Sequence, residues 1–102
     1  MTYTILLEPE ASTDIQEAID WYNSQQRGRG ATFYNEVQKG IDRLSTFPFF
    51  QVRYDKVMRC LPLKGFPYMI HFSVNEEKAE VTIKAVFHTS KNPKSWINRL
   101  KT

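Results

Sequence analysis

The last third of the chain alternates apolar and polar residues with a period of two, and that pattern limits what it can fold into. Tyr68, Ile70, Phe72 and Val74 interleave with Met69, His71 and Ser73, and Val81, Ile83, Ala85 and Phe87 interleave with Thr82, Lys84, Val86 and His88. Such alternation places one face of each strand on a core and the other against solvent or a partner. The polar segment Asn75-Glu76-Glu77-Lys78 supplies the turn of a hairpin between them. The second strand then carries His88, followed by Lys91 and Lys94, to one end of the sheet. His71, out of phase with the apolar set, is expected on the open sheet face.

Earlier segments provide what packs on that sheet. Tyr3, Ile5 and Leu7 share one face of a first strand, which Glu8-Pro9-Glu10 stops. Proline suits the first turn of a helix, and an acidic residue there meets the positive end of the dipole. Ile15, Ala18, Ile19 and Tyr22 recur at helical spacing, predicting a helix over about 10–24; Thr13 and Gln16, at capping-box spacing, allow a later start. Gly28 and Gly30 break the pattern. A second helix follows, with Phe33/Tyr34, Val37, Ile41 and Leu44 on one stripe, and Phe47-Pro48 ends it. Residues 49–56 read as irregular, and Val57 to Leu63 as a strand with Pro62 at an edge or end. After His88, Asn92-Pro93 starts a short helix over about Lys94–Leu100, with Trp96 and Leu100 at i, i+4.

The expected fold is therefore α+β, in the order β-α-α-β-β-β with a short C-terminal helix. A twisted, mainly antiparallel four-stranded sheet carries a helical hairpin on one face. The helical stripe Ile15, Ala18, Ile19, Tyr22, Phe33, Val37, Ile41 and Leu44 should meet Ile5, Leu7, Tyr68, Ile70, Phe72, Val81, Ile83 and Ala85.

At 102 residues the chain is read as a single domain, residues 1–102. No apolar run approaches the roughly 20 residues of a membrane span, and Met1 to Glu8 lacks the basic start of a leader, so a cytoplasmic protein is expected. The single cysteine, Cys60, excludes an internal disulfide and a cysteine-based zinc site, and no metal or cofactor is expected. Charge divides unevenly: residues 1–51 hold four Lys/Arg against seven Asp/Glu, net −3, and residues 52–102 hold ten against four, net +6. That polarity fits either an anionic partner for the sheet side or a lysine-rich face kept for solubility.

The order of elements, together with particular residues, resembles the RelE/ParE superfamily of bacterial type II toxin–antitoxin toxins. Pro9-x-Ala11-x-x-Asp14-Ile15-x-x-Ala18-Ile19-x-Trp21-Tyr22 is similar to its first-helix signature, and Gly30, Phe33, Leu44 and Phe47-Pro48 to its second-helix landmarks. Arg59-x-Leu61-Pro62-Leu63, Phe66-Pro67-Tyr68-x-Ile70-x-Phe72, and Val81-x-Ile83-x-Ala85-Val86-x-His88-x-x-Lys91-Asn92-Pro93-x-x-Trp96 resemble the ParE-like, plasmid-stabilisation branch. That branch implies a toxin that binds an essential target, DNA gyrase, without itself carrying out a reaction, and is neutralised by a cognate antitoxin. The RelE-like alternative implies a ribosome-dependent mRNA interferase. A second alternative is a non-toxic interaction or nucleic-acid-binding relative. Met69 stands about where RelE-like enzymes place a sheet arginine. Lys91 closes the ParE-like His-x-x-Arg pattern with charge but without bidentate geometry.

Metal-free RNA cleavage needs a base for the 2′-hydroxyl, an acid for the leaving oxygen and cations for the phosphate. His88 is the candidate acid/base, with Lys91 and Arg59 as the cations. The plainer reading makes His88 a strand-end histidine that hydrogen-bonds the backbone and orders the tail. Arg59, His71, Lys84, His88, Lys91 and Trp96 are the candidates for contact with target or antitoxin. Cys60 reads as a small apolar filler, and Asp14, Glu17 and Asp20 as the solvated acidic face of the first helix.

Overall fold

A computed structural model describes residues 2–49 and 58–91. The elements are β1 (Thr4–Leu7), α1 (Pro9–Gln25), α2 (Arg29–Thr46), β2 (Met58–Pro62), β3 (Tyr68–Asn75) and β4 (Glu80–His88). They form a four-stranded sheet of order β1-β4-β3-β2. β4 pairs antiparallel with β3, β3 antiparallel with β2, and β1 parallel with β4. The expected C-terminal helix and most of the irregular segment before β2 lie outside the described residues.

Local chemistry accounts for the helix ends. Pro9 opens α1 and Glu10 follows in its first turn. The Thr13 hydroxyl donates back to the Pro9 carbonyl at 3.2 Å, so Thr13 lies inside the helix and does not cap it. Gly28 takes the left-handed conformation (φ 88°) between the helices, which a residue without Cβ adopts at little cost. The first turn of α2 is capped from α1: the Gly30 N–H donates to Asn23 Oδ1 at 2.9 Å. α2 stops at Thr46 because Phe47, ahead of Pro48, is extended.

The helices lie across one face of the sheet. Ala11, Ile15, Ala18 and Tyr22 of α1 and Phe33, Val37 and Leu44 of α2 pack with Leu61, Leu63, Phe66, Ile70, Phe72, Val81, Ile83 and Val86. Ile19, Ile41, Ile5 and Tyr68 border this core half-buried.

Two members of the expected core depart from it. Leu7 is 43% exposed, because β1 is a short edge strand. Ala85 packs with Met58 and Phe87 in a separate cluster, and Val86 takes its place toward the helices. A β-bulge is responsible. His71 pairs with Ala85 and Phe72 with Ile83, so Lys84 is the extra residue, and every side chain after it changes face.

Met58, Ala85 and Phe87 are buried, so the second face of the sheet is covered as well. This corrects the expected open position of His71: it is 1% exposed, opposite Cys60 and Ala85, with its ring 5.2 Å from that of Phe87.

Candidate functional site

β4 is longer than its parallel neighbour, and the excess builds the site. β1 covers β4 only from Glu80 to Ile83, where the Glu8 N–H donates to the Ile83 carbonyl at 3.0 Å. Past the bulge, α1 takes over: Asp14 Oδ2 accepts the Val86 N–H at 3.0 Å. Asp14 is therefore half-buried and bonded to the sheet, not part of a solvated acidic face. Lys84, the bulge residue, reaches back to Glu8 at 3.2 Å, tying the strand to the entry of α1.

β4 ends in a turn held by the Thr89 N–H to the Pro67 carbonyl at 2.8 Å and the Lys91 N–H to the His88 carbonyl at 3.0 Å. His88 is exposed and stands edge-on to its strand neighbour Tyr68, ring centroids 5.2 Å apart. Its Nδ1 faces the Ser90 N–H at 3.0 Å and the Ser90 hydroxyl at 2.7 Å. A backbone N–H can only donate, so Nδ1 accepts, and the neutral ring carries its proton on Nε2. His88 thus offers a donor outward. The Lys91 ammonium lies over the Phe87 ring at 4.4 Å, within cation–π range.

Two cavities meet at this strand end and share Trp21, Tyr68 and His88. One, of about 280 Å³, also involves Asp14, Glu17, Phe87 and Lys91. The other, of about 490 Å³, is completed by Tyr22, Arg29, Gly65 and Pro67. Beneath the second, Tyr22, Phe33, Phe66 and Tyr68 form an aromatic floor with ring centroids 5.0–6.1 Å apart. The Arg29 guanidinium lies on that floor, 4.6 Å from the Phe66 ring centre and 5.9 Å from that of Tyr22. Burial raises the Tyr68 hydroxyl pKa, with the neighbouring Tyr22 adding to the shift; burial also raises that of Tyr22 itself, against the lowering effect of Arg29. Both remain neutral hydroxyls at physiological pH.

Of the sequence candidates, the structure brings His88 and Lys91 together. Arg59 is elsewhere. It sits on edge strand β2 opposite Phe72, on the helix-facing side, with its guanidinium 5.5 Å from the Phe49 ring centre. Two strand spacings and four residues along the sheet separate it from His88, roughly 16 Å between Cα atoms. His71 is buried on the other face, Lys84 is paired with Glu8, and Trp96 lies outside the described residues. Sequence reasoning missed Trp21, Arg29 and Tyr68 as lining residues. Trp21 carried a usable signal: a large aromatic off the apolar stripe of α1, here 55% exposed. Among the described residues no three His, Cys, Asp or Glu side chains gather as a metal site.

The model of the ParE toxin of the type II toxin–antitoxin system parDE matches residues 5–93. The chain belongs to the ParE toxin family. A toxin of this family fits the solved structures it resembles. A chain of the chromosomal ParDE system of P. aeruginosa aligns at TM-score 0.75 and 14% identity, covering 85% of this chain and 96% of that one. A substituted E. coli RelE toxin in the free state aligns at 0.74 and 15%, covering 99% and 97%. The RelBE2 toxin–antitoxin complex of Mycobacterium tuberculosis aligns at 0.61 and 16%, covering 89% and 95%. At such identities the likeness is one of fold, and it spans both the ParE and RelE sides of the superfamily. No curated protein sequence matches the chain. Among the described residues no helix of this ParE family member is long and apolar enough to cross a membrane.

Proposed function

We propose that this ParE family toxin arrests growth by binding an essential protein target, DNA gyrase, and is held inactive by a cognate antitoxin. The state of His88 carries the choice of binding over RNA cleavage. With Nδ1 occupied by the Ser90 N–H, the neutral ring has no lone pair at Nε2 for a 2′-hydroxyl proton, so acting as a base requires breaking that bond. Of the cations such a reaction needs, Arg59 lies over the Phe49 ring, roughly 16 Å away, and Met69 supplies none. Of the two cations the sequence suggested, Lys91 shares a cavity with His88 and Arg59 does not; Arg29 lines the adjoining cavity.

For the antitoxin, the basic half of the chain and the groove beside α1 favour an acidic, partly apolar segment. Opposite charge accelerates encounter more than it deepens affinity. His71, being buried, drops out of that surface; Lys84, Lys91 and the exposed Trp21 remain in it.

Induced expression in a bacterial host tests the reading. Growth arrest with DNA damage and intact mRNA, and inhibition of gyrase supercoiling by the purified chain, are expected. Codon-positioned mRNA cuts would overturn it in favour of an interferase, and normal growth would leave a non-toxic relative.

A further inference from the structure

Among the described residues the only formal charge lining the 490 Å³ cavity is that of Arg29. Arg29 brings only donors. Trp21 has a single ring N–H, and His88 presents Nε2–H because Ser90 holds Nδ1. Tyr68 remains a neutral hydroxyl. No carboxylate lines the cavity among the described residues, whereas Asp14 and Glu17 line its smaller neighbour. Among the described residues no ion pair occupies Arg29, whose guanidinium carbon lies over the Phe66 ring, 4.6 Å from its centre. A guanidinium placed over a ring still has N–H donors for bidentate contact with an oxyanion. The half-exposed Trp21 indole and Tyr68 add flat apolar surface beside that charge. The volume lies within the usual range for a small-molecule site, about 300–1,000 Å³.

From this arrangement we infer that the cavity binds a nucleoside 5′-phosphate, with the phosphate on the Arg29 fork and His88 Nε2–H and the base on the Trp21–Tyr68 surface. A planar base uses both features at once: stacking is indifferent to base identity, and the donors answer the phosphate oxygens. The site lies on the helix side of β4 and is independent of which macromolecule the toxin arrests. Its source is either a free nucleotide or the phosphorylated end of a nucleic acid.

Calorimetric titration of the full chain with adenosine 5′-monophosphate, adenosine and inorganic phosphate tests it. The monophosphate should saturate and bind at least tenfold tighter than either fragment. Arg29→Gln should erase the advantage over adenosine, and Arg29→Lys should keep only part of it. Trp21→Ala should weaken monophosphate and adenosine alike, on the order of fivefold or more. Circular dichroism and urea unfolding verify the fold of each variant, and wild-type titrations stand alone if Arg29→Gln does not fold. A 5′-phosphorylated trinucleotide binding as tightly as the monophosphate assigns the site to nucleic-acid ends; tenfold weaker binding assigns it to free nucleotides. Equal affinity for adenosine and its monophosphate, no saturation of the monophosphate titration by about 10 mM (tenfold, or about 1.4 kcal/mol, weaker than a 1 mM site), or tighter binding of a capped Glu-Phe dipeptide would overturn the inference.

Discussion

Gly40 brings the backbone of α2 against side chains of the sheet, and replacing it with alanine sets two effects against each other. A Cβ there would stand 2.9 Å from Ile70 Cδ1, with Leu61 Cδ2 at 3.5 Å and Leu63 Cδ2 at 3.6 Å. Gly40 lies inside α2, so alanine gains about 0.8–1.0 kcal/mol of helix propensity. Ile70 is fully buried, so turning its Cδ1 methyl aside disturbs packed neighbours, and overpacking costs about 1–3 kcal/mol. Gly40→Ala should therefore lower stability by about 0–2 kcal/mol. Ile70→Val removes the obstructing methyl and by itself costs about 0.5–1.5 kcal/mol. Together the two changes exchange one methyl for another at nearly constant volume while the propensity gain remains. The double variant should match the wild type or exceed it by up to about 1 kcal/mol, a favourable coupling of about 1–3 kcal/mol. Urea unfolding with linear extrapolation reads all four corners of the cycle. Additivity within about 0.5 kcal/mol, or Gly40→Ala alone gaining the full propensity difference, would refute the argument that this contact sets the helix–sheet distance.

Asp14→Ala should cost about 1.5–3 kcal/mol, because it removes a charged acceptor from the Val86 N–H, and should speed hydrogen exchange at Val86; Asp14→Asn should recover part of both. Lys84→Ala should cost less than about 1 kcal/mol, since Glu8 is 43% exposed and solvent screens the pair, whereas charge reversal at Lys84 should slow antitoxin association at low salt and spare dissociation in stopped-flow traces. Cys60 is buried and burial pushes its thiol pKa up, so a charged disulfide reagent at pH 8 should react with it only in denaturant; fast native-state reaction would contradict its placement.

The alternations along β3 and β4 and the helical stripes around Ile15 and Phe33 were enough to read the element order and the packing of a helical hairpin on the sheet. Both are local patterns with fixed periods, and the proline and glycine signals at Pro9, Gly28 and Pro48 act over one or two residues. His88 and Lys91 could be placed together because they belong to one turn. Arg59 could not be, since its distance from His88 depends on strand order across the sheet. Arg29 and Tyr68, far apart in sequence, line one cavity only because the start of α2 lies near the start of β3.

The sequence by itself determined which segments are helices and strands, where they end and which family the chain resembles, because those properties follow from backbone preferences and short-range spacing. Tertiary structure alone decided the faces. The bulge at Lys84 moved Val86 to the helices and Ala85 away from them, and no period-two pattern records an inserted residue. The burial of His71 was not legible because alternation distinguishes two faces of a strand but cannot say what covers either. Asp14 became part of the sheet's hydrogen bonding because β1 stops at Leu7 and leaves the Val86 N–H in need of an acceptor. Buried backbone groups must be satisfied by whatever the fold brings near, and that neighbour is set by three-dimensional packing.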